Sequence, residues 1–110
     1  MKIRSENGSK LRNTARSAPS KYRRKLRDRV LRVWNNTCAY CDKQDKPLFL
    51  DHILSRSKGG QFKLFNLAAA CNECNKAKKD MDLEVFVTDS KRLEIIKTHV
   101  KRFEEIYYAI

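Results

Sequence analysis

Two Cys-x-x-Cys pairs, Cys38-Ala-Tyr-Cys41 and Cys71-Asn-Glu-Cys74, stand 29 residues apart and use every cysteine in the chain. In a reducing compartment that pattern predicts four thiolates closing on one structural zinc ion. In a secreted protein the same pairs would be disulfide candidates. The opening residues Met1-Lys2-Ile3-Arg4-Ser5 form no apolar leader, so an intracellular, cytoplasmic setting and the zinc reading are expected. The connecting segment is longer than in an ordinary zinc finger and should carry structure of its own. A chain of 110 residues, 41% apolar and 35% charged, builds one small core, and a core of that size needs a staple. No apolar run approaches membrane-spanning length, so no membrane partner is expected.

Charge is distributed unevenly. Residues 1–34 hold 12 Lys and Arg against Glu6 and Asp28, a local +10 within a net +12. Such a concentration is the footprint of nucleic acid, where each phosphate neutralised releases counterions; the plainer alternative is a solubilising tail. Residues 1–16 are polar and basic without an apolar period, which predicts a flexible arm ahead of a single domain over 17–110.

Ser17-Ala18-Pro19-Ser20 reads as a helix start. Tyr22, Leu26, Val30, Val33 and Trp34 then recur at steps of three and four, predicting an amphipathic helix over 18–35. Arg23, Arg24 and Arg27 stand among the charges that flank this stripe, with only Asp28 to offset them, so a DNA-facing surface competes with a simply solvated one. Asn35-Asn36 closes the helix. Leu48-Phe49-Leu50 suits a buried strand, and the turn-rich Ser55–Gly60 brings Arg56 and Lys58. A helix is predicted from Asn72 through Lys78, a short one within 81–87, and a long one over 90–108 with Leu93, Ile96, Val100, Phe103 and Tyr107 packing inward. His99 on that last helix is expected at the surface or its boundary.

His52 is the candidate general base, because an imidazole titrates near neutrality and can take a proton from water. Asp51 is a hard oxygen ligand for a divalent cation, and Asn75, fixed by the adjacent Cys74, offers an amide oxygen of the same class. Neighbouring strand residues face opposite ways, so Asp51 and His52 can share a site only where the strand bends or ends. On spacing alone an Asp-His pair is as readily an ordinary turn, and Asn66 an ordinary turn asparagine.

Cys38-x-x-Cys41, Leu50-Asp51-His52-Ile53, Ser57-Lys58-Gly59-Gly60, Asn66-Leu67 and Cys71-x-x-Cys74-Asn75-x-x-Lys78 together resemble the zinc-knuckle branch of the HNH endonucleases, over about residues 34–80. That resemblance implies an α+β fold with a small ββα-metal core. It implies His52 as the base, Asn66 as the middle asparagine orienting the histidine loop, and Asp51 and Asn75 on a catalytic divalent ion. Mg2+ or another ion such as Mn2+ or Ni2+ would serve there, with Zn2+ held by Cys38, Cys41, Cys71 and Cys74. Lys78 matches the family's trailing lysine and is expected, with Arg23, Arg24, Arg27, Arg56 and Lys58, to contact DNA. Ser55 stands where the family often has proline. The implied activity is DNA phosphodiester hydrolysis, as nicking or cleavage, leaving 5′-phosphate and 3′-hydroxyl ends. The alternatives are a non-catalytic zinc-stabilised DNA-binding module and an accessory subunit of a phage or defence machine. A homodimer or a protein partner is compatible with all three.

Overall fold

The computed structural model describes residues 20–109; the basic arm and the helix start at Ser17 lie outside them. The order of elements is α1 (Ser20–Val33), β1 (Leu48–His52), β2 (Leu67–Cys71), α2 (Asn72–Lys78), α3 (Leu83–Phe86) and α4 (Ser90–Tyr108). Among the described residues this is the expected α+β arrangement: a two-stranded sheet, four helices and the four cysteines gathered together.

Helix α1 forms because its apolar stripe has a surface to bury. Val30 is fully buried, Leu26 and Val33 are half-buried, and Trp34 donates its indole N–H to the Leu67 carbonyl at 3.3 Å. The stripe leaves the core at its first turn, where Tyr22 stays 47% exposed. Asn35 and Asn36 both take left-handed backbone, φ 56° and 53°, which only glycine and asparagine adopt readily. Their N–H groups close on Arg32 O and Leu31 O, so the chain reverses directly into the first cysteine pair.

Strands β1 and β2 pair antiparallel, from Leu48 opposite Cys71 to His52 opposite Leu67. All five residues of β2 are buried. Its Ala68-Ala69-Ala70 run has little intrinsic preference for strand; small side chains there let α1 and α2 approach the sheet. Two strands alone are marginal in water, and these are covered by α1 and α2. The connection from Ile53 to Asn66 contains two short 3-10 turns, Arg56–Lys58 and Leu64–Asn66.

Helix α2 starts at the residue after Cys71 and ends where Lys79 takes a positive φ of 49°. Helix α3 is a single turn inside the 81–87 window. In α4, Ile96 is fully buried and Leu93 and Val100 pack beside it, whereas Tyr107 remains exposed. His99 differs from the surface residue the sequence predicts. It is buried against Trp34 and Phe103, with ring centroids 4.6 and 5.0 Å apart, and its Nε2 lies 3.1 Å from Leu64 O. The carbonyl of a 3-10 turn, which no sequence pattern announces, gives the ring a polar partner inside the core. No helix among the described residues is long and apolar enough to cross a membrane.

Candidate active site

The clasp comes first, because it sets the ends of the hairpin. Cys38 N–H bonds Lys43 O, Asp42 N–H bonds Cys38 O with Asp42 left-handed at φ 68°, and Ala39 N–H bonds Ala69 O at 2.7 Å. The first pair is thereby tied to the middle of β2, while the second straddles the β2–α2 junction. The four Sγ atoms lie within 4.8 Å of one another, Cys41 and Cys71 at 3.8 Å, and none is disulfide-bonded. A tetrahedron with metal–sulfur bonds of about 2.3 Å has edges of about 3.8 Å, so the cluster can hold a metal ion such as zinc. Burial raises the Cys41 and Cys74 thiols. In Cys71 burial also acts upward but is outweighed by hydrogen bonds from Cys74, Cys41 and Cys38, which draw the thiol down. A bound divalent cation deprotonates such ligands outright.

Asp51 and His52 are the last two residues of β1. They take opposite faces, as the strand requires. Asp51 is buried beneath α2 and the first cysteine pair: its Oδ2 accepts the Tyr40 hydroxyl at 2.5 Å and lies 3.5 Å from Lys78 Nζ. Both contacts fall on one oxygen, and Oδ1 takes no hydrogen bond among the described residues. Burial first, then the Asp51 charge, raises the Tyr40 phenol far above its usual range, so it stays a donor.

His52 faces the loop, its ring 6.0 Å from Phe62, and its buried Nε2 has no hydrogen-bond partner. Burial lowers its pKa; the Asp51 charge opposes this, and those of Arg56 and Lys78 reinforce it. The ring is thus held neutral at pH 7 with a ring nitrogen unengaged. Because the strand ends here, the chain can turn, and Asn66 fixes how. Its Oδ1 accepts Leu54 N–H at 2.9 Å, while its Nδ2 donates to Leu54 O and Gln61 O, each at 3.0 Å. Ile53 N–H also bonds the Asn66 carbonyl. Gly60 permits this closeness, since a Cβ there would stand 1.7 Å from Leu54 O and 2.9 Å from Asn66 Nδ2. Ser55 sits at φ −64° and donates its N–H to no backbone carbonyl among the described residues, so its backbone has a conformation that proline would also accept.

Asn75 is half-buried on α2, three residues before Lys78 and therefore on the same helix face. Lys78 itself is the clearest departure from expectation. A phosphate-contacting lysine should reach solvent, but its ammonium is completely buried, donating to His52 O at 2.9 Å beside Asp51. The inward face of α2 leaves it no other direction. The remaining basic residues are dispersed. Arg24 and Arg56 are exposed; Arg23 lies over the Phe62 ring at 5.3 Å; Arg27 donates to Leu48 O at 3.0 Å; Lys58 pairs with Asp82 at 2.9 Å. Tyr40 went unnoticed in the sequence, because the middle of a Cys-x-x-Cys pair carries no signal for a partner 11 residues on.

A hairpin and helix braced by four clustered cysteines, with an Asp-His pair at the strand end, make up a small ββα domain able to hold a metal ion. Residues 38–88 match the family model for HNH endonuclease. No curated protein matches the chain.

Proposed function

We propose that the protein is a metal-dependent endonuclease that hydrolyses DNA phosphodiester bonds, with His52 as general base. The observation that carries this is the buried, unpartnered Nε2 of His52, in a ring held neutral one residue after a carboxylate whose orientation two further groups fix. A buried ring nitrogen without a partner costs stability unless water or a ligand uses it. Asp51 Oδ1 and the Asn75 amide oxygen are the hard donors available to a divalent ion such as Mg2+, with phosphate and water completing its sphere. Bound there, the ion would supply charge stabilisation for the phosphate and the leaving oxygen. The chain supplies the rest. His52 takes the proton of the attacking water, Asn66 holds the loop that aims His52, and Tyr40 with Lys78 keeps Asp51 in place. Exposed Arg24 and Arg56, together with the basic first third of the sequence, favour a polyanionic substrate.

The test is nicking of supercoiled plasmid with Mg2+ or Mn2+ by wild type and by His52→Ala. Removing a general base costs about 10²–10⁴-fold in rate, so the variant should be nearly inactive. Equal cutting by both refutes the assignment. If DNA binds but no ends appear with either metal, the protein is a zinc-stabilised DNA-binding module.

A further inference from the structure

Hydrolysis makes no use of an aromatic surface that begins at His52 and runs away from the clasp. Phe62 stacks beside His52 at 6.0 Å, and Arg23 of α1 covers the Phe62 ring. The next residue, Lys63, lies with its Nζ 5.1 Å over the Tyr107 ring of α4. Contact with Tyr107 raises the pKa of that ammonium against the opposing effect of its partial burial, and Tyr22 of α1 and Tyr108 of α4 reinforce the rise. All three rings are open to solvent, Tyr22 at 47%, Tyr107 at 45% and Tyr108 at 58%.

Tyr107 and Tyr108 are nonetheless held in place. Buried Phe65 supports Tyr107 and Tyr108 from below at 5.6 and 6.0 Å, the two rings meet edge to face at 4.9 Å, and Gln61 donates to the Tyr108 hydroxyl at 3.4 Å. Leaving large rings in water forgoes burial energy. Rigid, exposed rings interleaved with cations are what a sequence-tolerant binder of unstacked bases requires: π-faces for the bases and positive charge for the phosphates. Duplex DNA offers phosphates but keeps its base faces stacked.

We propose that this surface is a stacking platform for unpaired bases, so that the substrate of the site is single-stranded or locally unpaired DNA. The proposal rests on the nuclease reading and names its substrate class. Lys63 and Arg23 take the backbone, Tyr107 and Tyr108 take bases, and Phe62 joins the platform to His52.

The full chain carrying His52→Ala, which binds without cutting, is titrated by fluorescence anisotropy with a labelled dT oligonucleotide, a matched duplex, and a duplex with a short unpaired bubble. Tyr107→Ala and Tyr108→Ala should each weaken oligonucleotide and bubble binding about tenfold, since a base–aromatic stack contributes that much on alanine substitution. Duplex binding should change less than twofold. Tyr107→Phe should bind as the parent does. Plots of affinity against salt should keep their slope in the tyrosine variants, whereas Lys63→Gln should lower it by about one. Equal losses on duplex and single strand, or no loss on either, overturn the platform. So does sedimentation showing that the tyrosines hold two copies together. Duplex binding without single-strand preference sinks the platform alone, while the absence of any DNA binding together with absent wild-type nicking sinks the nuclease reading with it.

Discussion

Replacing Asn66 with alanine removes three hydrogen bonds at once, to Leu54 N, Leu54 O and Gln61 O. The residue is only 5% exposed, so water can replace little of what is lost. At about 1 kcal/mol net per bond, the change should cost about 3 kcal/mol, with the orphaned Leu54 N–H adding to it. For a domain of this size that is a fall in melting temperature of roughly 12–20 °C. Activity should fall further than stability accounts for, because the loop that aims His52 loses its anchor, and a misplacement of about 1 Å costs about 100-fold. Asn66→Asp should do no better: it keeps the acceptor for Leu54 N–H but sets a carboxylate against two carbonyls. Gly60→Ala reaches the same loop from the other side, through a clash with the Leu54 backbone, so the double variant should lose less than the sum of the singles. Urea unfolding with zinc held constant measures the first quantity and plasmid nicking the second. If Asn66→Ala unfolds within 1 kcal/mol of wild type and nicks within about threefold of it, Asn66 is an ordinary turn residue and the reasoning fails.

Tyr40→Phe keeps the edge-on contact with Phe86 at 5.4 Å but removes the hydroxyl from Asp51; a loss of about 1.5–3 kcal/mol is expected from a bond to a charged group, read by denaturation, with a higher metal concentration needed for half-maximal nicking. Cys38→Ser, or a strong chelator, should abolish cooperative unfolding, because the free energy of a structural metal is folding free energy; one equivalent of metal per chain, lost in the variant, checks it. Burial lowers the pKa of His99 against the opposing pull of the Leu64 and Leu67 backbone. The unfolded chain therefore binds the proton first as pH falls below 6.5, and native stability is lost from that point downward to the lowered native pKa. Wild type should lose more stability than His99→Gln between pH 7.5 and 5.5, with urea midpoints as the measure.

Much of this architecture is written locally. The stripe ending at Val30 and Trp34 predicts α1, paired asparagines predict its left-handed stop, and Leu93, Ile96 and Val100 predict α4, because each depends on residues within one or two turns. Strand β2 is less legible: three alanines carry no strand preference, and pairing with β1 alone makes them one. His99 misled for the same reason. A histidine next to Val100 looks like a boundary residue until Trp34 and the Leu64 carbonyl close around it.

The sequence by itself determined that the cysteines come in two close pairs and that a carboxylate and an imidazole occupy successive positions after an apolar run. Those are matters of spacing along a chain with fixed bond lengths. Only the tertiary structure decided that Tyr40 and Lys78 would grip Asp51, that Lys78 would point inward, and that Lys63 would lie over Tyr107 near the end of α4. Such contacts arise from how helices settle on a sheet. They depend on packing between residues distant in sequence, for which a linear pattern carries no signal.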